Sequence, residues 1–504
     1  MKKLWLIPLL LVLLALIAVP IVVRWFYFYE GRWDSRSIPR PDLSGVEVAA
    51  PALTTYTDRA EAAPPGTILL DRIHNNNFKI SDLAVLQSRL AARGQRLEPV
   101  ESEDSFSAQL RYAKALIVIS PRDDWTVEQI QAVTDLVGRG GRLLLIADAT
   151  HFDTITDDLG YLVALDYDAT HLNDLAGEFG LVIRSDYLYN TVDNENNYRN
   201  IKLSEFAAGP LTKGLTELVF FATRSISSEA PGLVLASGET RSNANPRLEQ
   251  PAAAVLAAED RVLALGDLTF LSEPYNGIAD NDQFTSNIAD FLSGSERQYT
   301  LADFPYFFGD EVDLVYASDP LLDSDLLPGG GSLQSLFAEA GKTLSVQADE
   351  NQAHDTLFLG LYDEADEVKA YLADAAVTLV LSPTGEMDVD GGLDLTPTLT
   401  VTEAFTSRIE IESVGPMVIT GTSLIVLESQ GSRRVLVVLS DTVSGLQDTI
   451  KRLVDGDLAG CVLREADTPG AIGMALCSSG ELDTGEGAGG WPKPKEEDQT
   501  DLFP

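Results

Sequence analysis

A short apolar strand that ends in a polar cluster constrains this chain more than any other feature. Residues 67–78 read TILLDRIHNNNF, in which the run 67–70 is followed by Asp71, His74 and three asparagines. A helical pattern begins near Ser81, so the run is predicted to be a buried parallel strand of an open α/β sheet. Ligands of such sheets bind at the carboxyl ends of the strands. The polar cluster therefore marks the edge of the sheet where a site is expected.

Strands and helices alternate after this stretch. Predicted strands at 96–100, 115–120 and 142–147 are separated by predicted helices at 82–93, 106–112 and 126–137. This alternation indicates right-handed βαβ units and a parallel sheet. A predicted hairpin, 252–257 and 261–265, and a closing helix, 282–292, complete an α/β domain that extends over 67–297, whereas the polar stretch 190–200 is predicted to be a loop.

Several polar side chains follow these strands directly and are expected to line one crevice. They are Asp71, His74, Asn75, Asn76, Asp148, His151 and Asp267. Carboxylates and imidazoles bind divalent cations, so one interpretation is a polar-ligand or metal site. The other is that these side chains cap turns, as Asp and Asn do readily. The sequence assigns no metal to the crevice and indicates no cofactor.

The second half of the chain repeats this pattern and predicts a second, divergent α/β domain at 298–477. Its predicted hairpin, 423–427 and 433–439, is followed by Ser-Asp and a helix, as the first hairpin is followed by Gly-Asp and a helix. The glycines at 329–331 lack the Lys-Ser/Thr of a phosphate-binding loop and are predicted to form a flexible loop. Residues 478–504 are predicted to be a disordered tail.

The N-terminus carries the strongest targeting signal. Residues 4–23 form an uninterrupted apolar run, preceded by Lys2 and Lys3 and followed by five aromatic residues at 25–29. About 20 such residues span a bilayer, so residues 1–30 are predicted to be an uncleaved signal anchor, with a cleavable signal peptide as the alternative. A linker or irregular edge segment at 31–66 follows. The expected orientation places the N-terminus inside and the bulk of the chain outside the cytoplasm.

Charge and cysteine content narrow the functions further. The chain has 36 Lys and Arg against 77 Asp and Glu, a net charge of −41, which argues against binding to nucleic acid. Its two cysteines, Cys461 and Cys477, are close in sequence and form a plausible disulfide if the domain is extracytoplasmic. No Cys/His pair with zinc-ligand spacing accompanies them.

Three elements of the first domain carry a resemblance to a known family. They are Asp71-x-x-His74-Asn-Asn, the Gly-Gly pair with its strand and Asp148, and Gly-Asp267-x-x-Phe-Leu. Over residues 67–294 the chain resembles the domain of unknown function 4350 family and its relatives in gliding-motility ABC-transport auxiliary proteins and intraflagellar transport proteins. The resemblance implies a flavodoxin-like, glutamine-amidotransferase-like fold, and a binding or scaffold role beside membrane transporters or envelope complexes.

The residues argue against amidotransferase chemistry. An amidotransferase needs a Cys on the turn after its central strand, partnered by His, but here that turn carries Asp148, and the first domain has no Cys. No Gly-x-Ser-x-Gly elbow is present, since Ser120 and Ser440 lack the flanking glycines. The sequence therefore predicts a membrane-anchored, non-enzymatic binding or scaffold protein whose partners are membrane or envelope proteins. The alternatives are a metal-dependent hydrolase using Asp71, His74, Asp148 and Asp267, and an extracellular carbohydrate- or polar-ligand-binding module.

Overall fold

The computed structural model describes residues 6–28, 53–317, 327–381, 407–411, 415–431, 433–458, 460–464 and 471–478. The chain divides into two units, residues 1–51 and residues 52–504. In the first unit, helix α1 (Leu6–Phe28) contains a 21-residue span, Ile7–Tyr27, with a mean hydropathy of 2.7. Among the described residues it is the one helix apolar and long enough to cross a membrane, and a signal sequence has the same character.

The second unit contains two α/β sheets. The strands of the first half are β1 (Gly66–Asp71), β2 (Gln95–Val100), β3 (Ala113–Ile119), β4 (Arg142–Ile146), β5 (Phe152–Thr156), β6 (Leu162–Tyr167), β7 (Leu181–Ile183), β8 (Leu188–Tyr189), β9 (Asn200–Leu203), β10 (Glu205–Phe206), β11 (Leu218–Phe221), β12 (Ile226–Ser228), β13 (Gly232–Leu235), β14 (Arg241–Ser242), β15 (Ala252–Ala257) and β16 (Val262–Leu265). Its helices are α2 (Ala84–Ala92), α3 (Glu103–Leu110), α4 (Val127–Gly138), α5 (Asp168–Ala176) and α6 (Asn281–Ser293).

The first sheet has the strand order β10-β13-β15-β16-β4-β3-β1-β2, with β12 and β7 attached beside β15. The five strands from β16 to β2 are parallel, and β15 pairs antiparallel with β16. Alternate residues of β1 point to opposite faces: Ile68 and Leu70 pack with α2 and α6, and Leu69 packs with α3, α4 and α5. Because helices cover both faces, the parallel strands read as continuous apolar runs.

The second half forms its own sheet. Its strands are β17 (Glu311–Tyr316), β18 (Thr343–Gln347), β19 (Asp355–Leu361), β20 (Val377–Val380), β21 (Arg408–Ile411), β22 (Gly415–Val418), β23 (Thr422–Gln430), β24 (Arg433–Ser440), β25 (Val462–Arg464) and β26 (Ala471–Ser478). Its helices are α7 (Leu327–Glu339), α8 (Lys369–Asp374) and α9 (Val443–Asp455). The sheet order is β18-β17-β19-β24-β23-β26-β25, while β20, β21 and β22 form a separate antiparallel sheet.

The two sheets share a strand order. From its edge inward, the first sheet has the order β2-β1-β3-β4-β16-β15. The second sheet has the order β18-β17-β19-β24-β23, which is the same except that no strand corresponds to β4, so β19 pairs directly with β24. In both, a parallel strand (β16 or β24) pairs antiparallel with the strand that precedes it in the chain, and a helix (α6 or α9) follows. The chain is therefore a mixed α/β protein with two related sheets.

Several local expectations were wrong. Ser81 does not begin a helix: it lies in a 3₁₀ turn, Ile80–Leu83, that is closed by the backbone N–H of Lys79 donating to the Asp82 carboxylate. The glycines at 329–331 lie inside α7 rather than in a loop. By contrast, the segments 218–222 and 232–236, whose sequence predicts short antiparallel strands, do form antiparallel strands, paired with β9 and β15.

The remaining differences concern connections. The hairpin of β5 and β6 was not predicted. The predicted linker is described only from residue 53, and there it packs on the first domain, since Asp58 forms a 2.9 Å ion pair with the buried Arg93. The predicted tail lies outside the described residues from position 479 onward.

Candidate functional site at the carboxyl ends of the first sheet

Asp71, fully buried at the end of β1, is the centre of the first polar cluster. Both of its carboxylate oxygens lie 3.0 Å from His74 Nδ1, and Oδ2 also accepts a 3.0 Å hydrogen bond from Asn76 Nδ2. The same amide donates to the carbonyl of Ile119 at the end of β3. Asn75 is exposed and occupies a left-handed turn with φ 49°. This cluster therefore fixes the loop after β1 to the neighbouring strand.

His74 is held on three sides. Its Nε2 lies 3.3 Å from Gln129 Oε1, and its ring stacks on the indole of Trp125 with centroids 3.8 Å apart. Burial alone would lower the pKa of His74, but the hydrogen bond and charge of Asp71 outweigh it, so the pKa is raised above its ordinary value. A histidine that is buried, stacked and paired in this way is suited to holding a turn.

Asp148 and Asp267 form the second group, joined through Thr269. Asp148 Oδ1 accepts from the N–H and hydroxyl of Thr150 at 2.8 and 2.6 Å, and Oδ2 accepts from the Thr269 hydroxyl at 3.3 Å. Asp267 accepts 2.9 Å bonds from the backbone N–H groups of Thr269 and Phe221. Burial, reinforced by the charge of Asp148, raises the pKa of Asp267 well above its ordinary value.

A third group surrounds Asp168, the first residue of α5. Its carboxylate accepts from the Ser120 hydroxyl at 2.8 Å, the Asp148 N–H at 2.7 Å and Arg224 Nη2 at 2.6 Å. His151 Nδ1 lies 2.9 Å from Ser120 Oγ. Burial raises the pKa of Asp168, although Arg224 opposes this effect. Asp168 and Arg224 are each at most 4% exposed, so the pair is a buried ion pair.

The strand-end residues therefore fall into three groups, of which the second and third are joined by the hydrogen bond from the Asp148 N–H to Asp168. Asp71 and His74 bind each other, Asp148 and Asp267 share Thr269, and His151 belongs with Ser120. Within the part of the chain that the structure describes, no group of three or more His, Cys, Asp or Glu side chains could hold a metal ion. The convergence that a hydrolytic metal site requires is not met by Asp71, His74, Asp148 and Asp267.

The turn after β4 is where the amidotransferase resemblance places a nucleophile. Asp148 occupies it, is 1% exposed, and has its carboxylate bonded on both oxygens. Asp148 has no left-handed backbone, whereas Ser120 at the end of β3 has φ 41° and Asn75 after β1 has φ 49°. Ser120 is fully buried, its hydroxyl donates to Asp168, and its oxygen lies 2.9 Å from His151 Nδ1.

The sequence did not reveal three members of these clusters. Asp168, Arg224 and Trp125 lie outside every strand-end motif, and their partners are up to 76 residues away in the chain. Ser120 follows a predicted strand but lacks the glycines of a nucleophile elbow. Their grouping depends on the three-dimensional contacts between the end of β3, the start of α5 and the segment after β11, and the local sequence carries no signal for those contacts.

An exposed apolar hairpin lies next to these clusters. Strand β5 begins directly after His151, and β6 ends directly before Asp168. The two strands pair with each other and with no other described strand. Seven large apolar side chains of this hairpin are 39–80% exposed: Phe152, Ile155, Leu159, Tyr161, Leu162, Val163 and Leu165. Successive side chains of a strand point to opposite faces, so both faces of the hairpin expose apolar groups, as interaction sites often do.

A cluster of aromatic side chains, not evident from the sequence, lies on the loop predicted at 190–200. The guanidinium of Arg199 lies 4.7 Å from the ring centroid of Tyr187 and 5.5 Å from that of Tyr198, and Tyr189 contacts Tyr198 edge-on at 6.2 Å. Tyr198 is 44% exposed.

The two cysteines meet in the second sheet. Cys461, just before β25, and Cys477, in β26, are joined by a disulfide that closes a 16-residue separation. Cys477 is 1% exposed and belongs to the core on the α7 and α9 side of the sheet. The bridge fixes β25 to the strand it pairs with.

Comparison with known proteins gives matches among solved structures alone. The chain is similar to the N-terminal domain of mmIFT52, at 15% identity and a TM-score of 0.36, over 46% of this chain and 99% of that one. It is also similar to ThuA-like proteins from Bacteroides uniformis (12% identity, TM-score 0.31, 49% of this chain and 97% of that one) and Parabacteroides merdae (12%, 0.28, 47% and 93%). No protein-family model matches the chain, and neither does any curated protein.

Proposed function

We propose that this protein is a membrane-anchored, non-enzymatic binding or scaffold subunit of an envelope or transport assembly. It binds a partner protein through the hairpin of β5 and β6. The observation that carries the proposal is the contrast at one edge of the first sheet, where polar side chains are bonded to one another while the adjacent hairpin exposes apolar side chains and two open strand edges.

The polar clusters supply little chemistry for catalysis. A nucleophile must be accessible and paired with a base, whereas Ser120 is buried and Asp148 is bonded through both oxygens. His74 is likewise enclosed by Asp71, Gln129 and Trp125. These contacts stabilise the loops that support the hairpin, which is the role a scaffold requires of them.

The hairpin also indicates the chemistry of its partner. Its sequence, 152–167, contains four aspartates and no Lys or Arg. Two copies of this hairpin would repel each other, whereas an apolar segment flanked by Lys or Arg would gain both burial and charge complementarity. The open edges of β5 and β6 can accept such a segment as an added strand.

Anchoring and compartment follow from the two ends of the chain. Helix α1 has the length and hydropathy of a membrane span. The Cys461–Cys477 disulfide favours an oxidising compartment for the second sheet. Together they support a single-pass anchor with the N-terminus inside and the bulk of the chain outside the cytoplasm.

The test is a pull-down of the tagged, detergent-solubilised full-length protein, followed by mass spectrometry. The proposal predicts stoichiometric recovery of membrane or envelope proteins. A protein that is recovered alone would contradict it, provided that the N-terminal helix is intact in the purified sample.

A second candidate function is binding of a carbohydrate, and the cluster of Tyr187, Tyr189, Tyr198 and Arg199 favours it. Tyrosine rings present flat, amphipathic faces on which sugar rings pack. Affinity electrophoresis in gels containing polysaccharide would test this role. Retardation of the wild type that is lost in Tyr198→Ala supports it, whereas equal migration with and without polysaccharide excludes it for the polymer used.

A further inference from the structure

A cavity of about 570 Å³ lies at the opposite edge of the first sheet, between that sheet and the second one. It adjoins the amino ends of β1, β2 and β3 on one side and the carboxyl end of α7 on the other. Its volume is within the range of small-molecule sites, about 300–1,000 Å³. Residues from both halves of the chain line it, so a ligand here would contact both.

Two lysines face this cavity without a carboxylate partner. Lys114 Nζ donates to the carbonyl of Pro64 at 2.6 Å, and Lys342 Nζ donates to the carbonyls of Phe308 and Gly309. Neither ammonium forms an ion pair with a carboxylate of the described chain. Burial lowers the pKa of both lysines, although the charges of Asp310 and Asp355 oppose this effect at Lys342.

The other charges of the cavity are largely matched. Arg96 lies 3.2 Å from Glu98, whose other oxygen accepts a 2.8 Å hydrogen bond from Tyr112. Glu339 is exposed at the rim. The lining therefore carries three cationic side chains against two carboxylates, a small positive excess in a chain whose net charge is −41.

Tyrosine rings complete the lining. Tyr112 and Tyr306 lie with ring centroids 5.1 Å apart, and Tyr299 lines the same cavity. Such rings pack against planar groups in offset or tilted geometry. The combination of two ammonium groups with aromatic faces is suited to a ligand that carries an anionic group beside a ring.

We propose that this cavity binds a small organic anion, in which a carboxylate or phosphate lies between Lys114 and Lys342 and a planar ring packs on the tyrosines. The site is distinct from the hairpin and independent of it. Because it is lined by both sheets, an occupied cavity stabilises their association through binding linkage.

The experiment is calorimetric titration of the solubilised full-length protein with three probes. AMP represents the phosphate source, indole-3-acetate the carboxylate source, and adenosine is the neutral control. The proposal predicts saturable binding of AMP, of indole-3-acetate or of both, with adenosine at least about tenfold weaker, and which anion binds more tightly identifies the source. Absence of saturable binding by both anions, or equal binding of adenosine, would overturn it.

Variants locate the site. Lys114→Met with Lys342→Met is expected to weaken anion binding at least tenfold, a loss of about 1.4 kcal/mol. Lys213→Met, an exposed lysine away from the cavity, should bind as the wild type does. An unchanged affinity in the double variant would overturn the proposal. If that variant does not fold, the salt dependence of anion binding is measured on the wild type. An affinity that stays unchanged when NaCl is raised from about 50 to about 300 mM contradicts an ammonium site.

Discussion

The imidazole of His74 lies nearly parallel to the indole of Trp125, with 3.8 Å between ring centroids and an interplanar angle of 23°. Trp125 lies in the loop between β3 and α4, two residues before the helix begins, and His74 lies in the loop after β1. The stack thus joins the loops after two neighbouring strands, and the contact of Asp71 with Nδ1 at the ring edge holds the same imidazole to the end of β1. His74, which the sequence offered as a candidate metal ligand, therefore connects the two loops through its contacts with Asp71 and Trp125.

The His74–Asp71 pair gives a pH prediction with a defined sign. The pKa of His74 is raised in the folded state, since Asp71 outweighs the effect of burial. Its stabilising contribution is therefore fully present below the unfolded value of about 6.5 and is lost as pH rises through the folded pKa. NMR titration of the four histidines, with His74→Gln to assign the signal, should give a His74 pKa above about 6.5. A value at or below that would contradict the pairing.

The buried Arg224–Asp168 pair predicts a large loss of stability on truncation. Arg224→Met leaves a buried carboxylate without its cation and should cost about 3–5 kcal/mol in the free energy of unfolding. Adding Asp168→Asn should cost less than the sum of the single changes, because the two groups are coupled. Urea unfolding measures both.

The control for that series is an exposed pair. Lys369 and Asp366 are 64% and 85% exposed, so Lys369→Met should change the unfolding free energy by no more than about 1 kcal/mol. If Arg224→Met were as mild as Lys369→Met, the buried ion pair would not hold this edge of the sheet together.

The disulfide predicts both a stability change and a location. Replacing Cys461 and Cys477 with serine opens a 16-residue link and should cost about 3 kcal/mol in the chain-entropy treatment. In cells, both thiols should resist alkylation until a reductant is added, as expected outside the cytoplasm. Thiols that are alkylated at once in intact cells would contradict the proposed orientation.

Regular elements of the sheet were predictable because burial imposes a pattern on the sequence. Residues 68–70 and 143–147 are buried on both faces and are all apolar, and the structure has strands at both places. Thr126 marks the start of α4, and its hydroxyl accepts from the Gln129 N–H as an N-cap should. These signals are local and are carried by a few adjacent residues.

The clusters were not predictable because their partners are distant in the chain. Asp168 and Arg224 are 56 residues apart, and neither has a neighbour that marks it. The hairpin of β5 and β6 was not predicted for another reason. Its apolar residues are exposed, so its sequence lacks the alternation of apolar and polar residues that indicates a half-buried strand. Exposed apolar side chains outside the core are the feature that the pattern rules do not anticipate, and here they are the proposed interface.

A quantitative pull-down that compares three full-length proteins decides whether the hairpin of β5 and β6 binds the partner. They are the wild type, the hairpin variant Leu162→Ser with Val163→Ser, and the control Val192→Ser, whose side chain is exposed to a similar degree outside the hairpin. If the hairpin is the binding surface, partner recovery falls at least about tenfold in the hairpin variant and stays at the wild-type level in the control. The free energy of unfolding of each variant should differ from that of the wild type by no more than about 0.5 kcal/mol. Equal recovery from all three would contradict the hairpin as the binding surface.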